Sequence, residues 1–229
     1  MRPARRDFVD KEQLADALAD AVAADLKAAI ASRGAASLAV SGGTTPVRFF
    51  KALGGRSDVA WDKVTVTLVD ERWVDEGSER SNARLIRLHL LAGRAAAATF
   101  IPLYRGGTEP DAQAAGLALR AAPMPLDALV LGMGNDGHTA SFFPGGDTLA
   151  EALAGEGPVV AIRAPGAGEP RVTLTLGVVL AARALYLHIE GEDKAATLVR
   201  AEAAGPVEDM PVRAVLRQAQ ANLTIFWCP

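Results

Sequence analysis

In the segment Leu131-Gly132-Met133-Gly134-Asn135-Asp136-Gly137-His138-Thr139-Ala140-Ser141, a carboxylate and an imidazole stand two residues apart, at Asp136 and His138. An imidazole titrates near neutrality, and a carboxylate that orients it lets it take a proton from water at physiological pH. The chemistry on offer is general-base catalysis. The other two histidines suit packing roles, because His89 falls in an amphipathic helical stretch and His188 inside an apolar strand. Gly132, Gly134 and Gly137 satisfy the G-x-G-x-x-G spacing of dinucleotide sites. That reading needs a long helix after the third glycine, whereas Pro144-Gly145-Gly146 interrupts within a few residues. The motif also lies mid-chain rather than in a first βαβ unit. No nucleotide cofactor is expected.

Three other groups could share such a site. Ser41-Gly42-Gly43-Thr44-Thr45-Pro46 joins an apolar run to a helical one. Its glycines permit close backbone approach, its hydroxyls donate hydrogen bonds, and free N–H groups at a helix start attract a phosphate. An ordinary strand-to-helix turn capped by Thr fits equally well, since no Gly-Lys-Ser/Thr follows. Asp70-Glu71-Arg72 interrupts an apolar stretch that resumes at Trp73 and Val74, so these charges are read as partly buried. Buried charges must pair to offset desolvation, which favours a site over a solvated strand end. Arg171 precedes the strand Val172–Leu176. Lys194 lies at a helix start, where a cation opposes the dipole unless it meets an anion; on spacing alone, pairing with Glu192 or Asp193 is the plainer reading. No G-x-S-x-G elbow and no zinc-spaced His/Cys cluster occurs, so neither a serine nucleophile nor a metal is expected.

These groups need a scaffold. Leu14, Leu18, Val22, Leu26 and Ile30 form one stripe of a first helix, capped by Asp10 with Gln13 and stopped at Gly34. Beyond it, short apolar runs alternate with helical ones. Strands are expected at Ala36–Ser41, Val64–Val69, Thr99–Leu103, Leu126–Leu131, Pro158–Ile162, Val172–Leu176, Ala184–Ile189 and Asn222–Trp227. Helices are expected near Thr45–Leu53, Arg80–Leu91, Asp111–Ala121, Lys194–Ala203 and Pro211–Gln218. Strands apolar almost throughout indicate a sheet covered on both faces, and the alternation indicates right-handed βαβ units. The fold class is α/β: a doubly wound, mostly parallel sheet flanked by helices, with one domain spanning residues 1–229. Ligands of such sheets bind beyond the carboxyl ends of the strands.

Composition narrows the partners. The 229 residues carry a formal net charge of −3, which offers no global field to nucleic acid or an anionic membrane. The single cysteine, Cys228, suits a reducing compartment. The pair Arg5-Arg6 is followed by Asp10-Lys11-Glu12 rather than an apolar region, which argues against export. No run approaches the roughly 18 apolar residues that span a bilayer. A soluble, cytoplasmic protein is expected, monomeric or a small homo-oligomer.

Val69-Asp70-Glu71-Arg72 together with Gly132-x-Gly134-x-Asp136-Gly137-His138-Thr139-Ala140-Ser141 resembles the 6-phosphogluconolactonase family, relatives of glucosamine-6-phosphate deaminase. The resemblance runs from about Leu38 to Lys194. It implies a modified Rossmann-like fold and cofactor-independent hydrolysis of a phosphorylated sugar lactone in the oxidative pentose phosphate pathway. It further implies that His138 is the base, and that Ser41, Gly42, Gly43, Thr44, Arg171 and Lys194 hold the 6-phosphate. Asp136 would orient His138, loop N–H groups or Arg72 would stabilise charge on the carbonyl oxygen, and Asp70 and Glu71 would position Arg72 and the sugar hydroxyls. Two alternatives remain: a deaminase-like isomerase and a non-catalytic phosphosugar sensor. Deaminases resemble this loop but carry Glu five residues beyond the histidine and Tyr after Asp-Glu, where this chain has Phe143 and Arg72. A mere sensor has no evident use for Asp136 with His138.

Overall fold

Asp10 starts the first helix as expected, its carboxylate accepting the Gln13 N–H at 2.8 Å, and α1 runs from Lys11 to Arg33. Gly34 ends it at φ 79°, a left-handed conformation in which its N–H donates to Ile30 O. Leu14, Leu18, Val22 and Leu26 are buried along one stripe. A computed structural model of the chain describes residues 3–219 and 222–229. Its strands are β1 (Ala4–Asp7), β2 (Ala36–Val40), β3 (Val64–Leu68), β4 (Asp70–Arg72), β5 (Thr99–Ile101), β6 (Ala128–Leu131), β7 (Val159–Ile162), β8 (Arg171–Leu174), β9 (Ala184–Glu190) and β10 (Leu223–Cys228). The further helices are α2 (Val47–Gly54), α3 (Asn82–His89), α4 (Ala112–Leu119), α5 (Leu149–Ala154), α6 (Leu176–Ala181), α7 (Glu192–Glu202) and α8 (Val212–Gln218).

Seven strands form one sheet in the order β1-β10-β9-β6-β2-β3-β5, and every neighbouring pair is parallel. The doubly wound parallel sheet is therefore as expected. All residues of β2 and β6 are buried, consistent with cover on both faces. Among the described residues no helix is long and apolar enough to cross a membrane.

The second sheet departs from expectation. β4, β8 and β7 pair antiparallel in a separate three-stranded unit. The run expected as one strand, Val64–Val69, serves both sheets: the Val69 N–H donates to Val40 O at 3.0 Å, and Val69 O accepts from Leu174 N at 2.8 Å. One residue thus hands the chain from the large sheet to the small one, and Asp70-Glu71-Arg72 rides on the latter. The strand expected to Leu176 ends at Leu174, and Leu176 instead opens α6. β1 went unread because all four of its residues are exposed and show no apolar alternation. It is an edge strand, held by backbone pairing and by Arg6 lying 4.9 Å from the Phe226 ring and Arg5 lying 5.0 Å from the Trp227 ring.

Candidate active site

Beyond the carboxyl ends of β2, β6 and β9 opens a cavity of about 260 Å³. It is lined by every residue of Ser41–Thr44 and by Asp70, Arg72, His138, Arg171 and Lys194. Residues from five separate segments therefore meet at one place. Asp136 does not line the cavity; it stands behind His138.

The glycine turn leaves β2 with the Ser41 N–H donating to Val130 O at 3.0 Å. Gly43 adopts φ 97°, which disfavours any side chain. α2 then begins at Val47 with Pro46 as its N-cap and no side-chain cap, so the Thr-capped turn is not what forms. The helix start remains open for a ligand on the cavity side. A Cβ at Gly42 would overlap the Asn82 carboxamide, so Asn82 packs directly on the turn. Its Nδ2 donates to Asp70 O at 2.9 Å, tying the turn to β4.

On β4 the three charges separate. Asp70 Oδ2 accepts from Ser141 Oγ at 2.5 Å and faces Arg171 Nη1 at 3.8 Å. Glu71 is wholly buried and accepts from the backbone N–H groups of Arg72, Asn82 and Ala83 and from Ser81 Oγ, capping the start of α3. Arg72 donates through Nη1 to Arg80 O at 2.5 Å. The expectation that Asp70 and Glu71 position the Arg72 guanidinium is corrected by these contacts: Asp70 serves Arg171, and Glu71 holds only the Arg72 backbone. The strand pleat sends Glu71 to the face opposite Arg72, while Asp70, on the same face as Arg72, is taken up by Ser141 and Arg171. Arg72 and Arg171 are register partners across the β4–β8 ladder. Two cations directly opposite each other repel, and an anion between them relieves that cost. Burial lowers the Arg171 pKa, Asp70 opposes that shift and Arg72 adds to it.

Burial pushes the Glu71 carboxyl up to about 7, against the pull of the Asn82, Ala83 and Arg72 N–H groups. A carboxyl raised above its unfolded value holds its proton more tightly in the folded chain. Its contribution to stability is complete below its ordinary pKa of 4.5 and is lost as pH climbs through about 7. Chemical denaturation should therefore show a decline of up to about 3 kcal/mol across that window from this group, and Glu71→Gln should flatten it. A wild-type slope that survives the substitution would remove Glu71 as its source.

The histidine loop is built around Gly134. Its N–H receives no competition from a side chain and donates to His138 O at 2.8 Å, while Gly137 turns at φ 81°. A Cβ at Gly134 would overlap both the His138 ring and the Asp136 carboxylate, so the pair packs against bare backbone. Asp136 Oδ1 lies 2.6 Å from His138 Nδ1 and also accepts the His138 N–H at 3.1 Å. The hydrogen bond with His138 holds the Asp136 carboxyl down at about 2. An ionised Asp136 only accepts, which assigns the ring hydrogen to Nδ1 and leaves Nε2 with a lone pair. Phe143 lies tilted at 32° against His138 with centroids 4.3 Å apart, and the Arg171 guanidinium lies 5.0 Å from the Phe143 ring centroid. The imidazole and the guanidinium thus contact the same aromatic ring. Lys194, on the first turn of α7, makes no ion pair within 4 Å among the described residues, so the pairing with Glu192 or Asp193 does not form. Burial lowers its pKa, with Asp136 and Asp193 pulling upward.

Buried polar atoms almost always find partners. Among the described residues four side-chain atoms do not: Ser41 Oγ, Arg72 Nε, Arg171 Nε and His188 Nδ1. All four belong to residues that line this cavity. Unmet hydrogen-bonding capacity is thus concentrated where a polar ligand would enter.

A model of the family described as glucosamine-6-phosphate isomerases/6-phosphogluconolactonase matches residues 9–227. The chain belongs to this family. Among its relatives, the 6-phosphogluconolactonase of Rhizobium meliloti (strain 1021) is 53% identical over 226 residues, covering 97% of either chain. That of Pseudomonas aeruginosa is 46% identical over 216 residues, covering 93% of this chain and 89% of the relative. A crystal structure of a 6-phosphogluconolactonase from Shewanella baltica OS155 superimposes with a TM-score of 0.95 at 39% identity, covering 99% of this chain and 98% of that one. A monomeric glucosamine-6-phosphate deaminase shares the fold, with a TM-score of 0.78 at 14% identity.

Three cavity residues of this family member escaped sequence reasoning: Asn82, His188 and Glu190. Asn82 follows Ser81, the N-cap of α3, and reads as ordinary helix-start chemistry. His188 and Glu190 sit on a strand, and the polar alternation Tyr186-His188-Glu190 was the available signal.

Proposed function

We propose that this protein hydrolyses 6-phospho-D-glucono-1,5-lactone to 6-phosphogluconate, the activity named for its relatives. The observation that carries this reading is the Asp136-oriented imidazole of His138 and the Arg171 cation lying against one Phe143 ring in a cavity that also holds the glycine turn. His138 Nε2 takes a proton from a water molecule, whose oxygen bonds to the lactone carbonyl carbon. The charge on the carbonyl oxygen is met by N–H groups of the loop or by Arg72. The carbonyl re-forms as the bond to the ring oxygen breaks, and the imidazolium returns its proton to that oxygen, now a hydroxyl. The new carboxylic acid loses its own proton to solvent. Ser41–Thr44, Arg171 and Lys194 hold the phosphate, so that remote binding keeps the carbonyl in register with the base.

An isomerising deaminase needs an acid where Phe143 stands, and the apolar ring packed on His138 supports the lactonase reading instead. The protein is read as one catalytic unit spanning residues 1–229, working in the cytoplasm without a cofactor, nucleic acid or membrane, as a monomer or small homo-oligomer. Freshly generated lactone, coupled to 6-phosphogluconate oxidation and compared with blank buffer, tests the activity. A rate equal to spontaneous opening would reject it. Lys194→Ala should weaken 6-phosphogluconate binding about tenfold to a hundredfold, in line with loss of a charge-assisted hydrogen bond, with little change in Tm. A variant that lost only thermal stability would move Lys194 out of the phosphate site.

A further inference from the structure

His188 lies on the wall of the cavity, and its surroundings are more than packing. Alternate residues Tyr186, His188 and Glu190 of β9 share one sheet face. Tyr186 Oη donates to Asp25 Oδ2 at 2.6 Å, and Glu190 Oε2 meets Lys11 Nζ at 3.5 Å, both partners being on α1. Between them His188 Nε2 lies 3.1 Å from Glu190 Oε1, and Phe49 packs edge-on against the ring. The next strand is β6, where Leu131 pairs with Leu187, so Gly132 is the position abreast of His188. A Cβ at Gly132 would meet nothing within 4 Å. The absent side chain leaves open volume beside the imidazole, and Gly132, His188 and Glu190 all line it. The histidine is only 3% exposed, and its Nδ1 has no partner among the described residues.

The hydrogen position follows from the neighbours. Burial pushes the Glu190 carboxyl up, but the hydrogen bond with His188 and the contact with Lys11 outweigh it and bring it below the ordinary value. An ionised carboxylate only accepts, so Nε2 carries the hydrogen and Nδ1 presents a lone pair. A buried lone pair attracts an O–H group and repels an anionic oxygen.

We propose that His188 is a substrate-binding residue of this cavity, its Nδ1 accepting a hydrogen bond from a sugar hydroxyl while Glu190 and Lys11 fix the ring. This rests on the lactonase reading and extends it: the phosphate is read by the glycine turn and the cations, and a hydroxyl is read from the β9 wall. A site that leaves a buried acceptor unpaired discriminates against ligands that lack the matching hydroxyl.

Three substitutions separate the two ring nitrogens. Asparagine places its amide near the position of Nδ1, glutamine reaches the position of Nε2 beside Glu190, and leucine supplies neither. Titration calorimetry with 6-phosphogluconate, the KM for lactone, the inhibition constant of inorganic phosphate and Tm are measured for each. His188→Leu and His188→Gln should weaken 6-phosphogluconate binding and raise KM about tenfold, while His188→Asn stays within about threefold of wild type. Inhibition by inorganic phosphate should be unchanged in all three. Rescue by glutamine but not asparagine would reduce His188 to a structural partner of Glu190, overturning the proposal. So would wild-type affinity in His188→Leu, or an equal loss of phosphate inhibition, which would place the contact at the phosphate. A wild-type protein that neither binds 6-phosphogluconate nor accelerates lactone opening would fail the lactonase reading itself, whatever the variants do.

Discussion

His138→Ala is expected to lose its rate advantage over uncatalysed lactone opening, a fall of about 10²- to 10⁴-fold in kcat, the range a positioned general base supplies. Binding of 6-phosphogluconate should change by only a few-fold, because the glycine turn, Arg171 and Lys194 approach the cavity from other segments. The fold should persist. His138 sits at the cavity mouth with its side chain 30% exposed, and removing it leaves Asp136, half exposed, in contact with water. The decisive comparison is single-turnover hydrolysis corrected for the spontaneous rate, set beside product affinity from calorimetry. Unchanged turnover would remove the base assignment, and equal losses in rate and affinity would make His138 a binding group.

Gly134→Ala should produce nearly as large a loss without touching either catalytic side chain. Gly134 does not occupy the left-handed region, so alanine is compatible with its backbone. The obstacle is the space already filled by the His138 ring and the Asp136 carboxylate. One methyl group must displace the pair, and a displacement on the order of 1 Å costs about 10² in rate when reacting groups are held in register. We expect kcat to fall by about that factor, Tm to fall modestly and product affinity to hold. The imidazole resonances of His138 in NMR should shift together with the activity. A fully active Gly134→Ala protein would show that the dyad geometry tolerates repositioning, and would weaken the case for Asp136 as an orienting group.

Both predictions rest on residues whose local patterns were readable, and the reasons differ by residue. Asp136 and His138 are two positions apart in a glycine loop, so their contact is a local property of the chain. The Asp10 cap and Gly34 stop of α1 were legible for the same reason. Uniformly apolar strands reported burial on both faces, which marked the parallel sheet. By contrast, β1 carries no apolar alternation because it is an exposed edge, and nothing local distinguishes it from a loop. The small antiparallel sheet was invisible because β4 is three charged residues with no strand pattern of its own, and β7 and β8 are short runs that read like strands of the large sheet. Only pairing partners separate the two, and β4 meets its partner β8 about a hundred residues further along the chain.

The sequence by itself determined the α/β class and the contact of Asp136 with His138, since capping, turn chemistry and burial pattern are written within a few neighbouring residues. The tertiary structure alone decided that Arg72 stands opposite Arg171, that Asp70 serves Arg171 while Glu71 caps α3, and that Phe143 contacts both His138 and Arg171. It also turned His188 from a core residue into a wall of the cavity. These are relations between distant segments, set by strand order and register, and no local window of residue types encodes which partner a strand will meet.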